Sequence, residues 1–318
     1  MLPLEPELSH LALGASLYVP ATHHDLISVA RGLKYPALHS LILDTEDAVA
    51  VEDLPYAYHN LERLLLALAQ EQDAQRPLLF IRVRNVEEFA RVQALPGLEQ
   101  LDGFVLPKFC TTNMAAYLDA CPSSHWCMPI LETGIGHIDE LLEIRDFLKP
   151  HQQQVLSLRI GATDLLSQYK LRRDCRTVVY DIGLINHIIT QCVLTFTPAG
   201  FNLSAPVYEC FGEPYRKTLQ REVRLDLLNG LFGKTIIHPW QISVVHDIYR
   251  VSQADFEAAT RLLDPYSPAV FKLHDKMHEK ATHSAWAKQV QARAQLYGID
   301  AGKTPDNLAK NKRSRGES

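Results

Sequence analysis

Five times along this sequence a short apolar run delivers a charged residue at its end, with roughly 25 to 40 residues between runs, room for the loop and crossover helix that a parallel strand pair requires. Leu41-Ile42-Leu43 ends in Asp44, with Glu46 and Asp47 close behind. Leu78 to Ile81 ends in Arg82, Gly103 to Pro107 in Lys108, and Cys127 to Leu131 in Glu132, while the run Leu156 to Gly161 is followed by Asp164. Runs of this kind read as strands covered on both faces, as in a parallel sheet. The residues just past their C-terminal ends then face the crevice where α/β folds bind ligands.

Further strand candidates are Ala15 to Val19, Gly200 to Ser204 and Lys234 to Ile237, which brings the count to about eight βα units, that of a TIM (β/α)8 barrel. Candidate helices fill the gaps. Asp53 to Gln70 carries Leu54, Ala57, Leu61, Leu64, Leu65 and Leu68 at helical spacing, and Ile138 to Leu148 carries Leu141, Leu142, Ile144 and Phe147. At 318 residues and 47% hydrophobic content the chain can bury one large core. The expected organisation is a barrel over residues 1–250, a C-terminal helical extension over 251–300 and a disordered tail over 301–318, where large apolar side chains almost vanish.

The net charge of -5 leaves no excess of lysine and arginine for nucleic-acid phosphates. No apolar run approaches the roughly 18 residues of a membrane helix, and the N-terminus lacks the parts of a signal peptide. A cytoplasmic protein is expected, its six cysteines (Cys110, Cys121, Cys127, Cys175, Cys192, Cys210) being free thiols. Cys121-x5-Cys127 has the wrong spacing for a closed zinc site. His274 and His278 at i, i+4 read as two histidines on one helix face without a third ligand.

Three acids at one strand end repel one another unless a cation, an arginine or a proton shares the site. The alternative is local: Asp44 or Thr45 caps the next helix, and Glu46 and Asp47 favour its positive N-terminus. Lys108 suits pairing with these acids or a buried structural ion pair. Arg172, Arg173 and Arg176 form a basic cluster after Asp164, either part of an active-site loop or a solvated loop.

Set in order, Ser16-Leu17-Tyr18-Val19-Pro20, Asp44-Thr45-Glu46-Asp47-Ala48-Val49, Arg82-Val83-Arg84, Leu106-Pro107-Lys108, Leu131-Glu132-Thr133, Gly161-Ala162-Thr163-Asp164 and Ile237-His238-Pro239-Trp240-Gln241-Ile242 resemble the citrate lyase β-subunit-like group of the HpcH/HpaI aldolase family. Within it the chain looks most like the C–C bond lyase-like branch found with tellurite-resistance and stress gene clusters. The resemblance implies a TIM barrel and Mg²⁺, with Mn²⁺ as the substitute, held by Glu132 and Asp164. It further implies catalytic roles for Arg82, Asp44 and Glu46, the two acids binding metal waters, orienting Arg82 or both, with substrate contacts from Arg82, Lys108, Thr133, Arg172 and Arg173, a small anionic carboxylate as substrate, and a homo-oligomer. The implied chemistry is cleavage or formation of a carbon–carbon bond next to a carbonyl. Two departures put a coenzyme A thioester in doubt: Ala15-Ser16 stands where relatives have Arg-Ser, and the region Lys272 to Glu279, with Asp275 as a possible base, lacks their motif. A non-catalytic anion-binding barrel and a phosphoenolpyruvate-type enzyme are the rival readings.

Overall fold

The computed structural model describes residues 6–70 and 75–300, which divide into two compact units, residues 12–248 and residues 249–300 together with 6–11. The expected tail, Ala301 to Ser318, lies outside the described residues.

The larger unit is the expected TIM barrel. Its strands are β1 (Ala15–Pro20), β2 (Ser40–Asp44), β3 (Leu78–Arg82), β4 (Gly103–Leu106), β5 (Trp126–Leu131), β6 (Leu158–Ile160), β7 (Leu203–Ser204) and β8 (Lys234–Ile236). Each pairs in parallel with its neighbour in sequence from β1 to β7, and β8 pairs with β1. A bridge between Ala205 and Lys234, with the Ala205 amide donating to Gly233 at 2.8 Å, brings the two ends of the ladder together.

The two-residue period of a strand explains why charges gather at one end of this barrel. Ile42, Phe80, Val105, Met128 and Ile130, one or two from each of four neighbouring strands, pack into a single buried cluster that fills the interior. Stepping two residues onward along β2, β3 and β5 from Ile42, Phe80 and Ile130 leads to Asp44, Arg82 and Glu132. The apolar row therefore ends in a polar rim at the C-terminal face, where barrel enzymes place their chemistry. Below the apolar layer, serines fill inward positions in hydrogen-bonded pairs, Ser40 to Ser16 and Ser157 with Ser204, each at 2.8 Å.

The two helices read from periodicity form at Leu54–Ala69 and Ile138–Leu148. Leu61, Leu64, Leu65 and Leu68 are buried, each contributing roughly 1.5–3 kcal/mol. Among the described residues no helix is long and apolar enough to cross a membrane.

Two sequence expectations are corrected. Cys175 and Cys210 form a disulfide, with Cα atoms 5.8 Å apart, so the free thiols are Cys110, Cys121, Cys127 and Cys192. Segments distant in sequence meet there: the Tyr208 hydroxyl donates to the Cys175 carbonyl and Arg173 donates to Val207 at 2.7 Å. His274 and His278 lie on an antiparallel hairpin (Val270–Leu273 with Lys276–Glu279), because His274 and Asp275 both take left-handed φ values, +50° and +58°, and reverse the chain. His274 pairs with Glu257 at 2.9 Å and His278 stacks on Phe271.

That hairpin belongs to the smaller unit, with helices Gln253–Leu263 and Lys280–Tyr297. Val251, Ala259, Leu262, Phe271, Ala287 and Val290 form its core, and the Ser252 hydroxyl caps the first helix by accepting from the Asp255 amide.

Candidate active site

Strand register builds the first half of the site. Asp44 and Arg82 are direct partners across β2 and β3, so their side chains emerge side by side. Arg82 donates from Nε and Nη2 to the two oxygens of Asp44, both at 2.6 Å, a bidentate pair. Its Nη1 lies 2.8 Å from Glu46, and its guanidinium carbon sits 5.1 Å from the centre of the Tyr18 ring. Burial pulls the Arg82 pKa down, and the hydrogen bonds to Asp44 more than reverse this, so the group stays charged. Asp44 also accepts from the amides of Glu46 (3.0 Å) and Ala48 (3.2 Å), folding the acidic loop back on the strand end. It thus organises a turn and an ion pair together.

Lys108 closes that loop from the other side, its ammonium bonded to Glu46. Burial raises the Glu46 carboxyl pKa, and Arg82 and Lys108 oppose the shift. Lys108 takes a left-handed φ of +50°, uncommon for a side-chain-bearing residue, and in that conformation its amide donates to Glu132 Oε1 at 2.8 Å.

Glu132 and Asp164 form the second half. Glu132, just past β5, is 5% exposed, and Asp164 stands in the first turn of the short helix Ala162–Gln168 after β6. Gly161 between them is obligatory, because a Cβ there would lie 2.2 Å from Glu132 Oε2. Burial and then repulsion from Asp164 push the Glu132 carboxyl up to about 8. A buried carboxyl raised by its carboxylate neighbour, with one oxygen not committed to the Lys108 amide, makes with that neighbour a fitting donor set for Mg²⁺, a hard cation that takes one or two carboxylates and fills its octahedron with water and substrate oxygens.

A cation held at Glu132 would have to displace its proton, so apparent Mg²⁺ affinity would weaken about tenfold per pH unit below about pH 8. Thermal melts with and without Mg²⁺ should show a larger rise at about pH 8.5 than at about pH 6; equal rises would remove Glu132 from the metal site.

Asp44, Asp47, Arg82, Glu132 and Asp164 border one cavity of about 440 Å³ at the barrel mouth. Glu46, Lys108, Thr133, Arg172 and Arg173 do not line it, Glu46 lying behind the rim with its carboxylate on Arg82 and Lys108. Thr133 and Arg172 are exposed, and the Arg173 side chain is buried with Nη1 2.7 Å from Glu222. Asp275 lies in the hairpin turn, paired with Lys272 at 2.8 Å. Sequence reasoning passed over Tyr18 and Arg159, which both line the cavity. The signal for Arg159 was its place in the alternation Ser157, Arg159, Gly161, in a run read only as apolar.

A family model described as the C–C bond lyase of the TIM-barrel fold matches residues 7–299. The chain belongs to the C–C bond lyase family. It is an enzyme, and the resemblance read from seven sequence motifs holds. The chain is 26% identical over 260 residues to the (3S)-malyl-CoA thioesterase of Cereibacter sphaeroides, covering 80% of this chain and 82% of the relative. To the citrate lyase β subunit of Escherichia coli it is 25% identical over 311 residues, covering 89% and 93%. In fold it is similar to the CitE protein of Mycobacterium tuberculosis solved with magnesium, acetoacetate and coenzyme A, with a TM-score of 0.65, 23% identity and coverage of 90% of this chain and 99% of that one. RipC of Yersinia pestis superposes at a TM-score of 0.56 with 19% identity, over 77% of this chain and 99% of RipC.

Proposed function

We propose that the barrel-mouth cavity is the active site of a Mg²⁺-dependent lyase or aldolase that breaks or forms a carbon–carbon bond next to the carbonyl of a small carboxylate. The observation that carries this is the juxtaposition of Asp164 with Glu132, whose carboxyl burial and Asp164 push up, beside an arginine clamped by Asp44. A citrate lyase β subunit of similar fold was solved with oxaloacetate and magnesium, which supports the substrate class. When bound, Mg²⁺ supplies Lewis-acid stabilisation of the negative charge that builds on the carbonyl oxygen, and Mn²⁺ shares its preference for oxygen ligands. Arg82 adds a fixed positive charge to the same task. Asp44 and Glu46 orient that charge and set its distance, and the Lys108 amide holds Glu132.

Incubation with Mg²⁺ and a panel of free 2-oxo and 2-hydroxy acids and acyl-coenzyme A thioesters, followed by mass spectrometry, tests the proposal. Turnover is expected among the free acids, because Ala15-Ser16 replaces the Arg-Ser of thioester-using relatives. Turnover confined to thioesters would contradict that assignment, and none at all would contradict the lyase reading. Arg82→Lys keeps the charge and loses the fork that meets Asp44 and Glu46, so it should fold and yet lose about 10²-fold or more in turnover. Parental rates in this variant would remove Arg82 from the chemistry.

A further inference from the structure

The floor of the cavity holds a buried cation that the chemistry above does not use. Arg159 is 2% exposed, in the middle of β6, in register with Ile130 of β5 and Ser204 of β7. Arg82, Arg173 and Lys234 each meet a carboxylate, at 2.6, 2.7 and 2.8 Å. Arg159 meets none among the described residues. Its Nη2 donates to the Thr235 hydroxyl at 2.6 Å and its Nη1 to the Met128 sulfur at 3.7 Å, while Nε has no partner. A guanidinium withdrawn from water and left without an anion is strongly disfavoured unless an anion joins it.

The surroundings fix where that anion would sit. The Arg159 guanidinium carbon lies 5.6 Å from the centre of the Tyr18 ring, the ring that also carries Arg82 at 5.1 Å. Tyr18 therefore holds both guanidinium groups at the cavity, and Thr235 fixes one arm of Arg159.

We propose that Arg159 and Thr235 form a subsite for a second anionic group of the substrate, a carboxylate or a phosphate distinct from the end held at Glu132 and Asp164. The planar fork of arginine matches both groups with paired hydrogen bonds. The inference deepens the proposed function and rests on it only for the other end of the substrate. It makes Arg159 a specificity-determining residue that selects doubly anionic acids over singly anionic ones.

Calorimetry with two ligand pairs tests this in the whole protein with Mg²⁺ present. Malate and lactate differ by one carboxylate; 3-phosphoglycerate and glycerate differ by one phosphate. In at least one pair the doubly anionic member should bind tenfold or more tightly, and the pair that shows it identifies the group. Arg159→Met should erase that preference while leaving the binding of the singly anionic member and the Mg²⁺-dependent melting shift in place; Arg159→Lys should retain part of it. No preference in either pair, or a preference that survives Arg159→Met, would overturn the proposal. The comparison of ligands in the unmutated protein stands whether or not a variant folds. A preference without any Mg²⁺-dependent melting shift would support the subsite and contradict the metal site instead.

Discussion

Replacing Lys234 by methionine is expected to lower the free energy of unfolding by about 3–5 kcal/mol, the usual cost of removing one partner from a buried ion pair. Lys234 begins β8 and is fully buried, with its ammonium 2.8 Å from Glu222 Oε1 and 2.9 Å from Asp226 Oδ2. Glu222 also takes Arg173 at 2.7 Å and the Val179 amide at 2.8 Å, and Asp226 accepts from the Tyr180 hydroxyl at 2.7 Å. Two acids and two bases thus balance one another away from water. Without the lysine, two carboxylates face a single arginine.

Asp226 gives the loss a pH dependence. Burial already pushes its carboxyl up to about 6, against the pull of Lys234. A carboxyl with a raised folded-state pKa contributes stability that is present below its unfolded pKa and lost as pH rises through about 6. Loss of Lys234 raises that pKa further. The deficit of the variant should therefore be largest near neutral pH and shrink toward about pH 4. Urea unfolding at several pH values reads both effects. A deficit under about 1 kcal/mol at neutral pH would mean that the pair is easily replaced, which well-packed apolar substitutes sometimes achieve.

Much of the fold was legible because the barrel repeats one physical event, an apolar strand followed by a polar rim. The runs at Leu41, Leu78, Gly103 and Cys127 all became strands, with their terminal charges at one face. Asp44, Arg82, Glu132 and Asp164 could be found that way, since each stands at or within a few residues of a strand end. Arg173 could not. Whether an arginine past β6 turns to the cavity or to a buried acid is decided by Glu222, 49 residues away, and nothing local in Leu171 to Arg176 records that partner. The Cys175–Cys210 bond has the same origin, as contact between two loops separated by 35 residues. The His274 turn was missed for a different reason. An i, i+4 spacing fits a helix, but two consecutive left-handed residues override it, and non-glycine residues give weak warning of that conformation.

Glu132→Gln is expected to act in opposite directions on stability and on chemistry. Turnover should fall by about 10²–10³-fold or more, since the variant loses a charged oxygen donor at the centre of charge stabilisation. In the absence of metal the same change should stabilise the protein. With a folded-state pKa raised to about 8, Glu132 favours folding fully only below its unfolded value of about 4.5, and that contribution is lost as pH rises through about 8. A neutral amide of the same shape avoids the penalty, so metal-free E132Q should be more stable than the parent by about 1–4 kcal/mol near pH 8, the upper figure treating the full shift as realised. Active sites commonly trade stability for function in this sense.

The central claim, that Glu132 and Asp164 hold a divalent cation, is tested most directly by melting the protein at about pH 8 with and without Mg²⁺, alongside E132Q and D164N. A ligand at a hundred times its Kd stabilises the folded state by about 2.7 kcal/mol, which for a chain of this size is a rise of about 4 °C. The parent should show that rise and neither variant should. Equal rises in all three proteins would contradict the claim.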